Sequence, residues 1–342
     1  MQKLIFALSA AATLLVGVSY FLNEQSSTPK LQTIANQVNA NPNSTWTATV
    51  YPRFTYNYDQ VKTMFNLKRT KPAPGKFDSA PIHGLSSSDL PATFDAREQW
   101  PNCSSIKEVR DQSACGSCWA FGAATAMTDR LCIGSGQKDQ RRISTEELVE
   151  CCFDCGDGCD GGELYPSWSY WKETGIVTGD VYGDVASCKP YPFPPCNHHS
   201  EGPYDDCSKH DYDTPKCKRE CDNKEYKKKF KDDKIFGASV YSLDDEQAIM
   251  KDLVTNGPVE AAFDVYEDFL TYKGGVYQHT TGSLLGGHAI RVIGYGVEYG
   301  VKYWICVNSW NDNWGEKGTF RIRRGDDHCG IESDVVAGLA KY

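Results

Sequence analysis

The chain has 342 residues, a formal net charge of −9 and 15 cysteines. This length allows more than one domain and a large buried core. The acidic balance argues against a general nucleic-acid-binding protein, which would carry a basic face. The one basic run, residues 224–234, is interspersed with acidic residues and is interpreted as a solvated surface stretch.

The first 19 residues have the pattern of a signal peptide. Lys3 precedes an apolar run from Leu4 to Val18, which ends among small residues. A membrane anchor is the alternative, but about fifteen apolar residues are short for a span. No later segment approaches spanning length, so we expect a protein of the secretory pathway, lysosomal or secreted (the gut lumen included), that is not a membrane protein.

Residues 20–89 differ in composition from the rest of the chain. They lack cysteine, are rich in Asn, Ser and Thr, and contain a Pro/Gly patch at residues 72–75. Their many aromatic residues argue against disorder, so this segment is predicted to be a propeptide that lies on the protein. The alternative is an N-terminal subdomain that stays attached. Asn43 begins a glycosylation sequon, Asn-Ser-Thr.

Residues 112–121 contain the most informative motif, Gln-Ser-Ala-Cys-Gly-Ser-Cys-Trp-Ala-Phe. An apolar, helix-forming segment follows Cys118, which places this thiol in the first turn of a predicted helix over 118–132. The positive end of the helix dipole favours thiolate, the nucleophilic form. A cysteine at a helix start, taken alone, is more often structural, so the prediction depends on what else the chain supplies.

Further elements follow in chain order. Helical patterns cover 144–152 and 163–174, and Ser144 with Glu147 is predicted to form a capping box. Short β-patterned runs cover 288–296, 301–307 and 317–323. A helical half and a β-rich half therefore face each other, which predicts an α+β protein with a site in the crevice between them.

The β-rich half supplies polar residues that suit a cysteine nucleophile. His288 opens one run and is a candidate base, while Asn308 follows another and can fix the imidazole tautomer. Gln112 is a candidate donor to the oxyanion of a tetrahedral intermediate, together with the Cys118 N–H. Trp310 is placed to shield the His–Asn hydrogen bond from water.

These motifs resemble the papain-like cysteine peptidases, and more narrowly those of the cathepsin B type. The resemblance covers residues 90–338, and residues 90–97 are similar to the mature amino terminus of that family. It implies a two-lobed α+β fold, with a helical left lobe and a β-barrel-like right lobe, for a peptidase domain at 90–342. It also implies that Cys118 is the nucleophile, His288 the base, Asn308 the orienting residue and Gln112 the oxyanion donor.

Fifteen cysteines in an exported chain indicate a disulfide framework, and the odd count leaves at least one thiol free. The resemblance implies the pairs Cys103–Cys132, Cys115–Cys159, Cys151–Cys217, Cys152–Cys155, Cys188–Cys221 and Cys196–Cys207. Cys118, Cys306 and Cys329 then remain. Cys306 is not a cysteine position of the family, and either it or Cys329 is interpreted as a buried, inert thiol.

Cys118 and His288 are 170 positions apart, against about 130–150 in the papain group. The extra residues are assigned to an insertion at 188–221 that resembles the occluding loop of cathepsin B. In that resemblance His198 and His199 bind a substrate's terminal carboxylate and Asp111 pairs with the first histidine. Zinc ligation is the competing interpretation, and we expect no metal. In that family a second contact, an Arg–Asp ion pair, also holds the loop to the body. This ion pair is missing here, because Tyr204 and Asn313 occupy its positions.

Substrate contacts are also implied by the resemblance. Gly161 and Gly162 are expected to pair with extended substrate backbone, since glycine allows close approach. The alternative for any Gly-Gly is a plain turn. Residues lining the pocket for the second residue before the cut are Ala262, Gly287 and Ala289, with Asp334 at its base. Asp334 stands where the family has a longer Glu, so weaker acceptance of Arg is expected. Trp310 contributes to the wall on the leaving-group side.

The sequence therefore predicts a cysteine peptidase made as a secreted zymogen, an endopeptidase that also releases dipeptides from carboxyl ends. We expect no cofactor, a monomer, and peptide or protein substrates, the chain's own propeptide and cystatin-type inhibitors as partners. The run from Tyr303 to Glu316 resembles a sequence pattern of cathepsin B-like enzymes from blood-feeding worms, and this is weak support for the digestion of haemoglobin. The alternatives are a non-catalytic binding protein on the same scaffold and a cysteine-rich adhesion module.

Overall fold

The computed structural model describes residues 27–51, 61, 64–69, 76–81 and 84–342, with side-chain surroundings from residue 30 onward. The predicted signal peptide over 1–19 and the Pro/Gly patch at 72–75 lie outside the described residues. Among those described, no helix is both long enough and apolar enough to cross a membrane.

Six α-helices are present in the described chain. They are α1 Ser27–Ala40, α2 Ala96–Gln99, α3 Cys118–Gly134, α4 Thr145–Cys151, α5 Leu164–Glu173 and α6 Glu246–Asn256. Helix α3 is buried along almost its whole length, which explains why most of its residues are apolar. The Ser144 hydroxyl accepts from the Glu147 N–H at 3.1 Å and caps α4. The Glu147 carboxylate accepts from the Val177 N–H instead, so the predicted capping box is only half formed.

Nine strands form one sheet in the described chain. They are β1 Trp46–Ala48, β2 Phe94–Asp95, β3 Tyr241–Ser242, β4 Val259–Tyr266, β5 Tyr272–Tyr277, β6 Leu284–Glu298, β7 Val301–Val307, β8 Thr319–Arg323 and β9 Val335–Ala337. The order across the sheet is β1-β5-β8-β7-β6-β4-β9-β3, and β2 pairs with β6. The predicted α+β class is confirmed.

Two apolar cores divide the molecule. One surrounds α3, α4 and α5, and the other lies against the sheet. Helix α3 packs on β6, and a buried ion pair between Asp129 of α3 and Arg291 of β6, 2.7 Å apart, ties the two parts together. Because α3 begins with Cys118 and β6 carries His288, this packing sets the relative position of the two side chains.

In the described part of the N-terminal segment, residues 27–51 pack on the sheet part of the molecule. Helix α1 packs on the turn Glu267–Thr271 through its buried residues Leu31, Ile34 and Val38. Strand β1 then extends the sheet by pairing antiparallel with β5, so that Trp46 faces Gly275. The segment is thus docked on the structure formed by residues 90–342.

Candidate active site

Cys118 is the first residue of α3 and is fully buried. It is one of three cysteines outside disulfides in the described chain. Burial raises the pKa of its thiol to about 12, while the backbone N–H groups of Ala289 and Trp119 act in the opposite direction. The helix start alone favours thiolate. In this closed cleft the loss of hydration outweighs that effect, and the thiol is neutral.

His288 and Asn308 come together across the sheet part. His288 lies near the start of β6, and its Nε2 is 2.8 Å from Oδ1 of Asn308, just after β7. The same Oδ1 accepts from the Ser309 N–H at 2.8 Å, so this atom is the amide oxygen and His288 carries its proton on Nε2. The Nδ1 atom is buried and has no hydrogen-bond partner in the described chain, which leaves it to accept a proton.

Burial also shifts the pKa of His288. Its imidazole is fully buried, and this lowers its pKa to about 4, against the opposing hydrogen bond from Asn308. Trp310, itself inaccessible to solvent, covers the pair with its ring centroid 5.2 Å from that of His288. Thiol and imidazole are therefore both uncharged over the physiological range while the cleft stays covered.

Gln112 connects the two sides of the cleft. Its amide Nε2 donates to the Cys115 carbonyl at 2.9 Å, and its Oε1 accepts from the Ser309 hydroxyl at 2.7 Å. These two bonds hold the side chain in one orientation beside the loop that precedes Cys118. One of the two amide hydrogens is thereby used, and the amide has a second N–H to offer.

Residues 64–69 of the N-terminal segment run through the cleft between its two walls. The Leu67 N–H donates to the Gly287 carbonyl at 3.3 Å, and the Lys68 N–H donates to the Gly162 carbonyl at 2.9 Å. A Cβ on Gly161 would lie 2.0 Å from the Asn66 carbonyl oxygen. The three glycines predicted to contact substrate therefore contact this segment, and the close approach needs their missing side chains.

Phe65 covers the His288 side of the same cleft. Its ring packs edge-on against His288 and Trp310, with centroid distances of 5.5 and 5.7 Å. Phe65 is almost fully buried. The segment thus keeps water away from the imidazole, which accounts for the neutral state described above.

Arg69 fills the pocket predicted to contain Ala262 and Asp334. Its guanidinium donates to Asp264 at 2.9 Å, to the Ala262 carbonyl at 3.1 Å and to the Gly330 carbonyl at 2.7 Å. The Asp334 carboxylate lies 3.8 Å from Arg69 Nε. Sequence reasoning missed Asp264, although a residue two positions after Ala262 on a strand shares its face. The N–H of Ala289, a residue predicted to line the same pocket, is directed at Cys118.

The insertion at 188–221 contacts the body near the cleft through Asp111 and Asn311. His198 Nε2 is 2.8 Å from Asp111 Oδ1, as the resemblance implies. Asn311, which sequence reasoning missed, donates from Nδ2 both to the other oxygen of Asp111, at 2.9 Å, and to the Cys196 carbonyl, at 2.7 Å. His199 is buried beside Trp310, and burial lowers its pKa to about 3.

The second contact between loop and body, an ion pair in the family, is not formed at Tyr204 and Asn313. Asn313 Nδ2 is buried without a hydrogen-bond partner in the described chain. A Cβ on Gly202 of the loop would lie 2.6 Å from that atom, so Asn313 touches the loop without an ion pair. Tyr204 is 41 % exposed.

Six disulfides join the same cysteines that the resemblance pairs: Cys103–Cys132, Cys115–Cys159, Cys151–Cys217, Cys152–Cys155, Cys188–Cys221 and Cys196–Cys207. Cys196, His198 and Cys207 come close together. The two sulfurs of that group are bonded to each other, so they are not thiolates and do not form the ligand set that zinc needs. Asn43 is exposed in the turn between α1 and β1.

Comparison with known proteins gives a consistent result. The family model described as papain family cysteine protease matches residues 90–339. A cathepsin B-like cysteine proteinase of Schistosoma japonicum is 48% identical over 93% of this chain and 93% of its own length. Cathepsin B-like cysteine proteinase 6 of Caenorhabditis elegans is 55% identical over 74% of this chain and 67% of its length. The structure of procathepsin B S9 from Trypanosoma congolense superposes with a TM-score of 0.76 and 33% identity, covering 92% of this chain and 99% of that one.

Proposed function

This chain belongs to the papain family of cysteine proteases, and we propose that Cys118, His288, Asn308 and Gln112 are the residues with which it cleaves peptide bonds. The observation that carries the proposal is a free thiol at the start of α3 that receives the N–H of Ala289, the residue after His288, whose imidazole pairs with Asn308. That pair leaves Nδ1 of His288 available on the cleft side of the imidazole.

The chemistry follows from these positions. His288 takes the proton of the Cys118 thiol at Nδ1, and the thiolate attacks the carbonyl carbon of the substrate. The Cys118 N–H and the free amide hydrogen of Gln112 stabilise the oxyanion. The imidazolium then gives its proton to the leaving amine, and a thioester is left. Water, deprotonated by His288, hydrolyses that thioester and restores the enzyme.

The N-terminal segment is proposed to be a propeptide within residues 20–89 that must be removed, leaving a peptidase domain at 90–342. It occupies the positions of a substrate between Gly162 and Gly287, and Phe65 keeps the His288 ring dry. A chain with this segment in place cannot admit a peptide. Removal opens the cleft to water, so that the pKa of Cys118 falls, that of His288 rises, and the charged pair becomes accessible. The route of such a zymogen is the secretory pathway, with a lysosomal or secreted end point.

The 196–207 loop is proposed to direct the release of dipeptides from carboxyl ends. His198 is held by Asp111, and His199 lies beside Trp310 on the leaving-group side. Since the second contact, an ion pair, is missing, the loop opens more readily, and this favours internal cleavage over dipeptide release. Digestion of haemoglobin rests only on the run from Tyr303 to Glu316 and stays a prediction.

The test uses processed wild-type protein and the Cys118→Ala variant. Each is given a carboxyl-blocked fluorogenic dipeptide and a free-carboxyl peptide between pH 4 and 7.5. Turnover of both by wild type and of neither by the variant supports the proposal. Absence of turnover by correctly disulfide-bonded wild type would favour the non-catalytic binding scaffold.

The loop is tested with a matched pair of variants. Asp111→Asn weakens the bond to His198, whereas Lys209→Ala removes an exposed ion pair with Asp205 within the same region. The first is expected to raise the ratio of internal cleavage to dipeptide release, and the second to leave it unchanged. Equal ratios for both variants would show that the Asp111 contact does not control the loop.

A further inference from the structure

The edge strand β5 offers a binding surface that the catalytic cleft does not use. In the structure this edge is covered by residues 45–49 of the N-terminal segment. The Val276 N–H donates to the Thr45 carbonyl at 2.8 Å, and the Thr49 N–H donates to the Thr271 carbonyl at 2.7 Å. Trp46 and Thr47 face Gly275 and Gly274 in the strand register. The contact is therefore the addition of one strand to a sheet edge.

A single aromatic side chain anchors this strand. Trp46 is 3 % exposed, and its ring lies 5.1 Å from that of Tyr277 and 6.1 Å from that of Tyr272. Its indole N–H donates to the Gln278 carbonyl at 2.9 Å. Both the apolar face and the polar edge of the indole are matched, which is how a buried Trp contributes most to binding.

The glycines of β5 give the surface its shape. A Cβ on Gly275 would lie 2.5 Å from the Thr45 carbonyl oxygen and 2.7 Å from the Trp46 Cα. Because Gly275 has no side chain, a second backbone can approach β5 closely at this position. Once the N-terminal segment is removed, β5 has unpaired backbone hydrogen-bonding groups beside an aromatic socket formed by Tyr272 and Tyr277. Such an edge can pair with another extended chain.

The socket is linked to the catalytic residues by packed rings. Tyr272 lies 5.6 Å from Trp314, which lies 5.0 Å from Trp310, which in turn covers His288 at 5.2 Å. A protein bound at β5 therefore has its neighbouring segments close to the leaving-group side of the cleft. The chain itself shows this reach, since about twenty residues after Trp46 it lies in the cleft at Asn66.

We propose that in the processed enzyme this β5 surface binds an extended segment of a protein substrate, with a tryptophan flanked by Ser or Thr as in residues 44–47. The inference rests on the proposed function, since it requires removal of the N-terminal segment. Tethering raises the effective concentration of a second segment at the cleft. The surface thereby selects among protein substrates without changing the chemistry at Cys118.

The experiment uses processed wild-type enzyme and two fluorogenic peptides. Both carry the same cleavable sequence joined by a flexible linker of about twenty residues to Ser-Thr-Trp-Thr-Ala-Thr or to the same sequence with Ala for Trp. We expect a KM at least about tenfold lower for the Trp peptide with the same kcat. Equal KM values for the two peptides would overturn the inference.

Two enzyme variants place the effect on β5. Gly275→Ala inserts a Cβ where the added strand must lie, whereas Gly300→Ala adds one at a similar positive φ with no atom within 4 Å. The first should abolish the preference for the Trp peptide and the second should keep it. If Gly275→Ala does not fold, a free Ser44–Val50 peptide must inhibit cleavage of the Trp peptide by wild type, and failure to do so would overturn the inference.

An untethered dipeptide substrate separates the two hypotheses. If wild type cleaves it but treats the Trp and Ala peptides alike, only the β5 inference fails. If wild type does not cleave it, the peptidase proposal itself fails. A processed enzyme that sediments as a dimer and becomes a monomer on addition of the Ser44–Val50 peptide would assign the edge to a second copy, and so overturn the proposal.

Discussion

Arg69 is expected to provide much of the inhibition by the N-terminal segment. The test is to add a separate peptide of residues 27–89, with and without the change Arg69→Ala, to processed enzyme. The guanidinium donates to one carboxylate and two carbonyls. Its side chain is 25% exposed, and those of Asp264 and Asp334 are 37% and 29% exposed.

The magnitude lies between two limits. Hydrogen bonds to a charged group contribute about 1.5–3 kcal/mol when buried, and exposed ion pairs about 0–1 kcal/mol. The partly exposed pocket places the loss at about 2 kcal/mol, a rise of about 30-fold in the inhibition constant. Lys68→Ala is the matched control, because Lys68 and its partner Asp157 are 45% and 65% exposed. We expect a change of no more than about threefold for that variant.

The assay measures the inhibition constant of each segment against hydrolysis of a small fluorogenic substrate at pH 5.5. The Lys68 effect should disappear in 0.5 M salt, because exposed pairs are screened, whereas most of the Arg69 effect should persist. Equal losses for the two variants would refute the reasoning, since they would show that burial in the pocket contributes nothing.

Three further predictions concern ionisation and the imidazole. In the intact chain Cys118 has a pKa of about 12, so its alkylation by iodoacetamide should rise about tenfold per pH unit from 6 to 9. In the processed enzyme the rate should be nearly flat, and mass spectrometry that finds the same profile for both would contradict the role of the covering segment. Buried Glu146 has a pKa raised to about 9 by burial and by Glu150. The stability that its protonation contributes is fully present below the unfolded pKa and is lost as the pH rises through the folded value of about 9. Glu146→Gln should therefore raise the melting temperature at pH 8 but not at pH 4.5, and an equal shift at both would refute this. Asn308→Ala removes one hydrogen bond of about 1 kcal/mol from His288, so kcat should fall about five- to tenfold with little change in KM, and an unchanged kcat would rule out an orienting role.

The local part of the site follows from the sequence. A cysteine at a helix start and a Ser cap on the next helix each depend on residues within one or two turns of each other, and patterns over such distances are visible in the chain. Helix α3 was expected over 118–132 and is Cys118–Gly134, and the run expected at 301–307 is strand β7.

Only the tertiary structure shows which distant groups meet. Arg69 bonds to Asp264, 195 positions away in the chain, and Asn311 bonds to Asp111, 200 positions away. The Glu147 carboxylate accepts from the Val177 N–H and does not complete the capping box. The charge state of Cys118 was also decided at this level, because the helix dipole acts locally whereas desolvation depends on everything that covers the thiol. Sequence therefore determined which chemical groups this protein has, and packing determined which of them are dry, paired and within reach of each other.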